Sequence, residues 1–339
     1  MGNRLLIGAV VLAFGMIASR GSADPPSDGP SNRGVLLPPQ AFDDTAKRPN
    51  SERERHGEWS INGGVYLVTP VFGTNPAFLV TSGQGNVSRQ VDFDQHLQVA
   101  PFLALGYVSE RGWGLRGRWF QYDHGNSIDH VAAPGETVTG ISAFAPGRAA
   151  TAGTILASSN LAVNVLDIEA TCSIDSAKWS HLLGIGVRYA HMSQDYRATV
   201  FNTKTFIDLT SGHNLNGVGP AFSLETKRRV GESGFAIYGQ LHGAVLFGRA
   251  KEMQAAVING LPMEFSRRHT DVLPVGELEA GLEYERNVGR VKVFGQAGFQ
   301  GQAWWGGGNA SNLDPVGFSS AANNNFGFVG AALRVGVRY

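Results

Sequence analysis

The residues best suited to chemistry cluster behind one segment of the chain: Asp123-His124 and Asp129-His130, just past Tyr122. His191, Asp195 and His213 fall at comparable heights on the segments that follow. Acid–histidine couples can activate a water for hydrolysis or hold a cation. Neither use is backed by a complete constellation. No Ser is placed with a His and an Asn. Gly306-Gly307-Gly308 has no following Lys or helix, so it is no phosphate loop. Cys172 is the single cysteine, which excludes an intrachain disulfide and a thiolate metal cluster. These polar residues therefore read as solvated loop ends, with no enzyme, cofactor or metal site expected.

A second set of charges is periodic. Arg116, Arg118, Asp167, Glu169, Arg188, Glu225, Glu277, Glu279, Glu283, Glu285, Lys292, Arg334 and Arg338 sit on the alternate positions of strand-like segments, most of them beside apolar or small neighbours. A strand sends alternate side chains to opposite faces. The final stretch, Phe326 to Tyr339, is the clearest case. Val329, Ala331, Leu333, Val335, Val337 and Tyr339 share one face, while Gly330, Arg334, Gly336 and Arg338 share the other. One face suits hydrocarbon and the other a filled polar interior.

Ten such segments are legible: Trp59–Val68, Leu97–Val108, Trp113–Tyr122, Leu161–Cys172, Trp179–Met192, His213–Thr226, Phe235–Gly248, Val272–Glu285, Val291–Ala303 and Phe326–Tyr339. Long and short connections alternate between them, as in membrane barrels with short periplasmic turns and long outer loops. The expected fold is all-β, a transmembrane antiparallel up-and-down barrel of about ten strands. The stretch Asp123–Asn160 is long enough to hide another hairpin, which would make twelve. The long stretches Ser193–Gly212 and Arg249–Asp271 are expected to be outer loops.

Composition agrees. The chain has 339 residues, 45 of them Gly, and only 17% charged, which suits a sheet with many turns and small positions. Its formal net charge is zero, so nucleic acid is not an expected partner. Residues 1–23 read as a signal peptide: Arg4, an apolar run from Leu5 to Ala18, then Gly21-Ser22-Ala23. Residues 24–57 are rich in Pro, Ser, Asp and Arg and cannot bury a core, so a disordered leader is expected there. The barrel is assigned to 58–339, in the outer membrane of a Gram-negative-type bacterium.

Strand ends carry aromatics. Trp59, Tyr107, Trp113, Trp179, Tyr284 and Tyr339 lie by the short turns or the C-terminus; Trp119, Tyr189, Phe247, Trp304 and Trp305 lie by the long loops. Two girdles, one at each interface, are expected of a membrane barrel. Opposite signs on neighbouring strands predict that the inward charges pair across a narrow lumen.

Several motifs in order resemble the Legionella-type major outer-membrane protein family and its planctomycete β-barrel relatives. They are the run Gly112-Trp113-Gly114-Leu115-Arg116-Gly117-Arg118-Trp119-Phe120-Gln121-Tyr122, Val165-Leu166-Asp167-Ile168-Glu169, Gly186-Val187-Arg188-Tyr189, Leu273-Pro274-Val275-Gly276-Glu277-Leu278-Glu279, and Trp304-Trp305-Gly306-Gly307-Gly308. The resemblance implies an outer-membrane barrel with porin-like or surface-exposed roles, and it carries no catalytic residues. Two functions are expected on these grounds. One is a porin-like protein with a narrow charged lumen; the other is a non-conducting structural or surface-interaction barrel. Expected partners are outer-membrane lipid and, through the terminal strand ending at Tyr339, the barrel-assembly machinery. Oligomeric state leaves no mark in the sequence.

Overall fold

The computed structural model describes residues 57–82, 87–141, 150–176, 178–312 and 325–339. The expected signal peptide, and the leader as far as His56, lie outside the described residues. In chain order the strands are β1 (Glu58–Phe72), β2 (Pro76–Ser82), β3 (Ser88–Asp92), β4 (Gln98–Val108), β5 (Trp113–Val131), β6 (Glu136–Gly140) and β7 (Ala150–Thr151). They continue with β8 (Thr154–Asp175), β9 (Trp179–Phe201), β10 (Phe206–Arg229), β11 (Phe235–Ile258), β12 (Leu261–Val288), β13 (Val291–Trp304) and β14 (Phe326–Arg338).

Ten of these close an antiparallel barrel in the order β1-β14-β13-β12-β11-β10-β9-β8-β5-β4, with β4 returning to β1. Closure leaves no open sheet edge in the hydrocarbon, the condition for a sheet to span a bilayer. The first and last barrel strands meet at the seam, where Trp59 and Tyr339 exchange two backbone hydrogen bonds of 2.8 and 2.9 Å. That end also carries the short turns and is periplasmic by the rule for such barrels.

Two expectations are corrected above the membrane. Residues 193–212 and 249–271 are not loops: β9 and β10 run on to a turn at 202–205, and β11 and β12 to a two-residue turn. That turn is Asn259-Gly260, both at positive φ (48° and 84°), the backbone a tight hairpin of this kind requires. The stretch Asp123–Asn160 does hold extra strands, but β6 and β7 leave the barrel and join β2 and β3 in a separate sheet, ordered β3-β2-β6-β7. The barrel therefore has ten strands, not twelve. On the far side of β12, residues 261–273 have no strand partner among the described residues, because β13 pairs only from Val275 onward.

The wall shows which solvent each part meets. On β11, Phe235 and Phe247 are both about half exposed and point outward, twelve residues apart. At roughly 3.3 Å per residue and a tilt near 40°, that spacing covers about 30 Å, the thickness of a bilayer core. Between them the outward side chains are apolar: Ile237, Leu241 and Val245 on β11, and Ile185 and Val187 on β9. Beyond Phe247, β11 continues for roughly another 25 Å into the aqueous layer.

There the alternation inverts. On β9 the outward positions become Ser193, Asp195, Arg197 and Thr199, and the inward ones Tyr196, Ala198 and Val200. Those inward residues, with Ile155, Leu209 and Ile258, form an apolar core against Ala77, Phe78, Val80 and Val138 of the small sheet. The outer end is thus capped by a folded sheet packed against the inner face of the extended wall.

Candidate functional site: the filled lumen

The lumen is built in layers, each set by strand parity. Nearest the periplasm, Arg338 bonds Glu285 at 2.5 Å and Glu283 at 3.3 Å, and Lys227 bonds Glu283 at 2.8 Å. The Arg338 guanidinium also lies over the Phe294 ring, 4.1 Å from its centroid. Lys292, inward on β13, takes part in none of the ion pairs among the described residues.

The next layer has two arginines. Arg334 pairs with Glu279, donates to the Tyr66 hydroxyl at 2.6 Å and to Gln240 at 3.1 Å, and covers the Phe102 ring at 4.3 Å. Tyr238 donates to the same Glu279 at 2.7 Å. On the opposite wall Arg116 pairs with Glu169 at 2.5 Å and with Glu225, and Ser223 donates to Glu169 at 3.0 Å. Removing the Tyr66 hydroxyl by Tyr66→Phe takes a hydrogen bond from a buried guanidinium. Loss of about 1.5–3 kcal/mol in urea unfolding is the expected result.

Above it lies a quartet. Arg188 donates to both oxygens of Asp167 at 2.6 and 2.8 Å and pairs with Glu277 at 2.5 Å. Arg118 reaches the same two carboxylates at 3.3 and 3.4 Å and donates to His242 Nδ1 at 2.6 Å. Two cations and two anions, each no more than about a tenth exposed, neutralise one another across the bore. A cavity of about 10 Å³ remains beside them, room for about one water.

The bore then turns aromatic and aliphatic. Tyr66, Phe102, Phe120, Tyr122, Phe326, Phe328 and Trp304 are buried together with Val163, Met192, Leu215, Leu246 and Leu273. Trp304 stacks on Phe326 at 5.7 Å, and Phe328 lies 4.8 Å from Tyr122. Trp304 is thus no interface residue: it shares the parity of Gln300 and Gln302 and is fully buried in the lumen. Trp305 does turn outward, its ring against Gly276 on the outer wall of β12. Trp59, Trp113, Trp179, Tyr189, Phe247, Tyr284 and Tyr339 all stand exposed at the outside. Tyr107 packs on Trp59 at 4.9 Å, and Trp119 donates to Asn164 at 3.2 Å on the same outer face.

The mouth above is closed by the chain just after β13. Gln194 donates to the carbonyls of Gly307 and Gly308 at 3.1 and 3.3 Å and accepts from the Ala310 amide at 3.0 Å. Asn309 donates to the Thr74 carbonyl at 2.6 Å. Sequence patterning singled out neither Gln194 nor Asn309 and took Trp304 of the aromatic layer for an interface residue, although parity along β13 and β14 carries the signal for Trp304 and Phe328.

The acid–histidine couples are not brought together. Asp123 and His124 are neighbours on a strand and so point to opposite sides; Asp123 accepts from Asn160 at 3.4 Å. His130 stacks on Phe78 at 5.6 Å, beside Glu136. His191 faces outward against Asn216 at 2.8 Å, whereas His213 is buried on the inner side. Among the described residues no three His, Cys, Asp or Glu side chains are placed to hold one metal ion.

A closed ten-stranded antiparallel barrel, apolar outside over one bilayer thickness and charged within, is an outer-membrane β-barrel. The chain belongs to the family described as the Legionella pneumophila major outer membrane protein precursor, which matches residues 54–339. No curated protein matches the chain. Similar solved structures include the outer membrane protease OmpT from Escherichia coli, at TM-score 0.44 and 9% identity, covering 83% of this chain and 96% of that one. The TodX deltaS2S3 mutant monoaromatic hydrocarbon channel aligns at TM-score 0.27 and 8% identity, covering 84% and 90%. The toluene transporter TbuX of Ralstonia pickettii aligns at TM-score 0.22 and 8% identity, covering 84% and 89%. Likeness at this level says nothing about activity.

Proposed function

We propose that this protein is a closed barrel whose work is done by its outer surface, not by passage through its lumen. The observation that carries this reading is the bore itself, crossed in turn by the Arg118–Asp167–Arg188–Glu277 quartet and by the aromatic layer from Tyr66 to Trp304. Charges that line a conducting pore stay hydrated and free to exchange partners with ions. Here they are spent on one another. The porin-like role has less support, because passage needs the charge layers, the aromatic layer and the mouth to open together.

Residues 1–23 would direct export, and the terminal strand ending at Tyr339 would be the part read by the assembly machinery. The folded cap of β2, β3, β6 and β7 would be what the cell surface presents. In a planar bilayer the refolded protein should give no discrete conductance steps, while the same preparation runs as a heat-modifiable folded band. Steady unitary steps from that preparation would overturn the closed-barrel reading and restore the porin-like one.

A further inference from the structure

We infer that the outer wall of β11 and β12, just above the membrane band, binds the phosphate of a phosphorylated glycolipid in the outer leaflet. The register places Phe247 opposite Val272, then Arg249 opposite Thr270, then Lys251 opposite Arg268, all on the outward face. Lys251 and Arg268 are thus like charges directly across a strand pair, an arrangement that destabilises a sheet. The pairing is also of the closer kind. Pro274, of the same parity as Arg268, turns its carbonyl to the β13 side, where it accepts from the Trp305 amide at 3.0 Å. Arg268 therefore forms a non-hydrogen-bonded pair with Lys251, the geometry in which facing side chains approach most.

Nothing among the described residues relieves the repulsion. None of the ion pairs among the described residues includes Arg249, Lys251 or Arg268. Glu252, next in sequence, points inward and is buried. The nearest acid on the same face of β12 is Glu264, two outward positions further from the membrane. The partners across β10 are neutral, Asn216 beside Arg249 and Asn214 beside Lys251. Three cations and two amides on adjacent strands make a site for an anion supplied from outside, and guanidinium and ammonium groups suit phosphate.

Height names the source. Arg249 is one outward position past the Phe247 girdle, and Lys251 and Arg268 are two positions past it. With about 3.3 Å per residue and the strand tilt, they stand roughly 5 and 10 Å above the aromatic row. A bilayer's headgroup region extends about 5–8 Å beyond each side of its hydrocarbon core. Arg249 stands within that layer, and Lys251 and Arg268 stand just beyond it. Their side chains are long enough to reach back to the phosphates of outer-leaflet glycolipid, whereas free phosphate has no reason to prefer that height.

The test uses the full-length protein refolded in neutral detergent micelles doped with bis-phosphorylated lipid A or with its dephosphorylated form, read by native mass spectrometry and thermal unfolding. Wild type should retain the phosphorylated glycolipid and unfold at higher temperature in its presence. K251Q/R268Q should retain it at least ten-fold less. In lipid-free micelles the same variant should unfold no earlier than wild type, because the like-charge opposition is gone. K251Q alone serves if the double variant refolds poorly, and R286Q at the periplasmic end should bind as wild type does. Equal retention of both glycolipids, or undiminished binding by K251Q/R268Q, would overturn the proposal. So would an equal thermal shift from millimolar inorganic phosphate alone.

Discussion

Arg188→Met is expected to destabilise the barrel by about 3–5 kcal/mol, the range for breaking a buried pair and stranding its partner. Arg188 is 1% exposed and holds Asp167 by two hydrogen bonds and Glu277 by a third contact. Without it, both carboxylates must share Arg118, which lies 3.3 and 3.4 Å away. Methionine matches much of the stem's volume, so the loss reports charge more than packing. Removing Asp167 as well, as Arg188→Met with Asp167→Leu, leaves Arg118 and Glu277 as a neutral couple. That double variant should be more stable than Arg188→Met alone, since the two effects are not additive within one network. Urea unfolding in micelles measures both. A single-variant loss under about 1 kcal/mol would mean that the quartet is hydrated and weakly coupled.

Gly330→Val should abolish the folded barrel outright. Gly330 lies on the inward face of β14 opposite Val68 of β1, the seam that closes the ring. A Cβ there would press into the Leu67 carbonyl oxygen and stand 2.8 Å from the Val68 Cα, both backbone atoms that cannot swing away. The two strands would have to separate, and an unclosed sheet edge in hydrocarbon leaves backbone groups unpaired at several kcal/mol each. Gly301→Val on neighbouring β13 is the control, because a Cβ there meets nothing within 4 Å. Heat-modifiable mobility should vanish for Gly330→Val and persist for Gly301→Val. A normal folded band from Gly330→Val would show that the seam is looser than drawn.

Within the bilayer the fold was legible because lipid enforces one rule on every strand. Ile185, Val187 and Tyr189 must face out, so Arg188 must face in. Above the bilayer the outer solvent is water, and the rule reverses: Asp195 and Arg197 face out, Tyr196 and Ala198 in. Seeking apolar residues on the original face makes 193–212 and 249–271 look patternless, although the strands never stop. Asn259-Gly260 was a local sign of the second hairpin, since that pair between alternating segments marks a tight turn. The cap had no such sign. Its central pairing joins Leu79 to Thr139, across a stretch of chain that includes all of β4 and β5. Trp304 misled for a different reason: two consecutive tryptophans cannot share a face, and only parity counted from Gln300 tells which one is inside.

The tall outer wall ends in a four-residue turn at 202–205 and in Asn259-Gly260, with no slack loop at either tip. A few residues inserted there lengthen a turn and disturb no packed face, whereas a substitution at Val200, Ile207 or Ile258 just below the tips enters the cap's core. Length change should therefore fall at a handful of apical points, and related chains should differ most in how many residues they carry at those two tips.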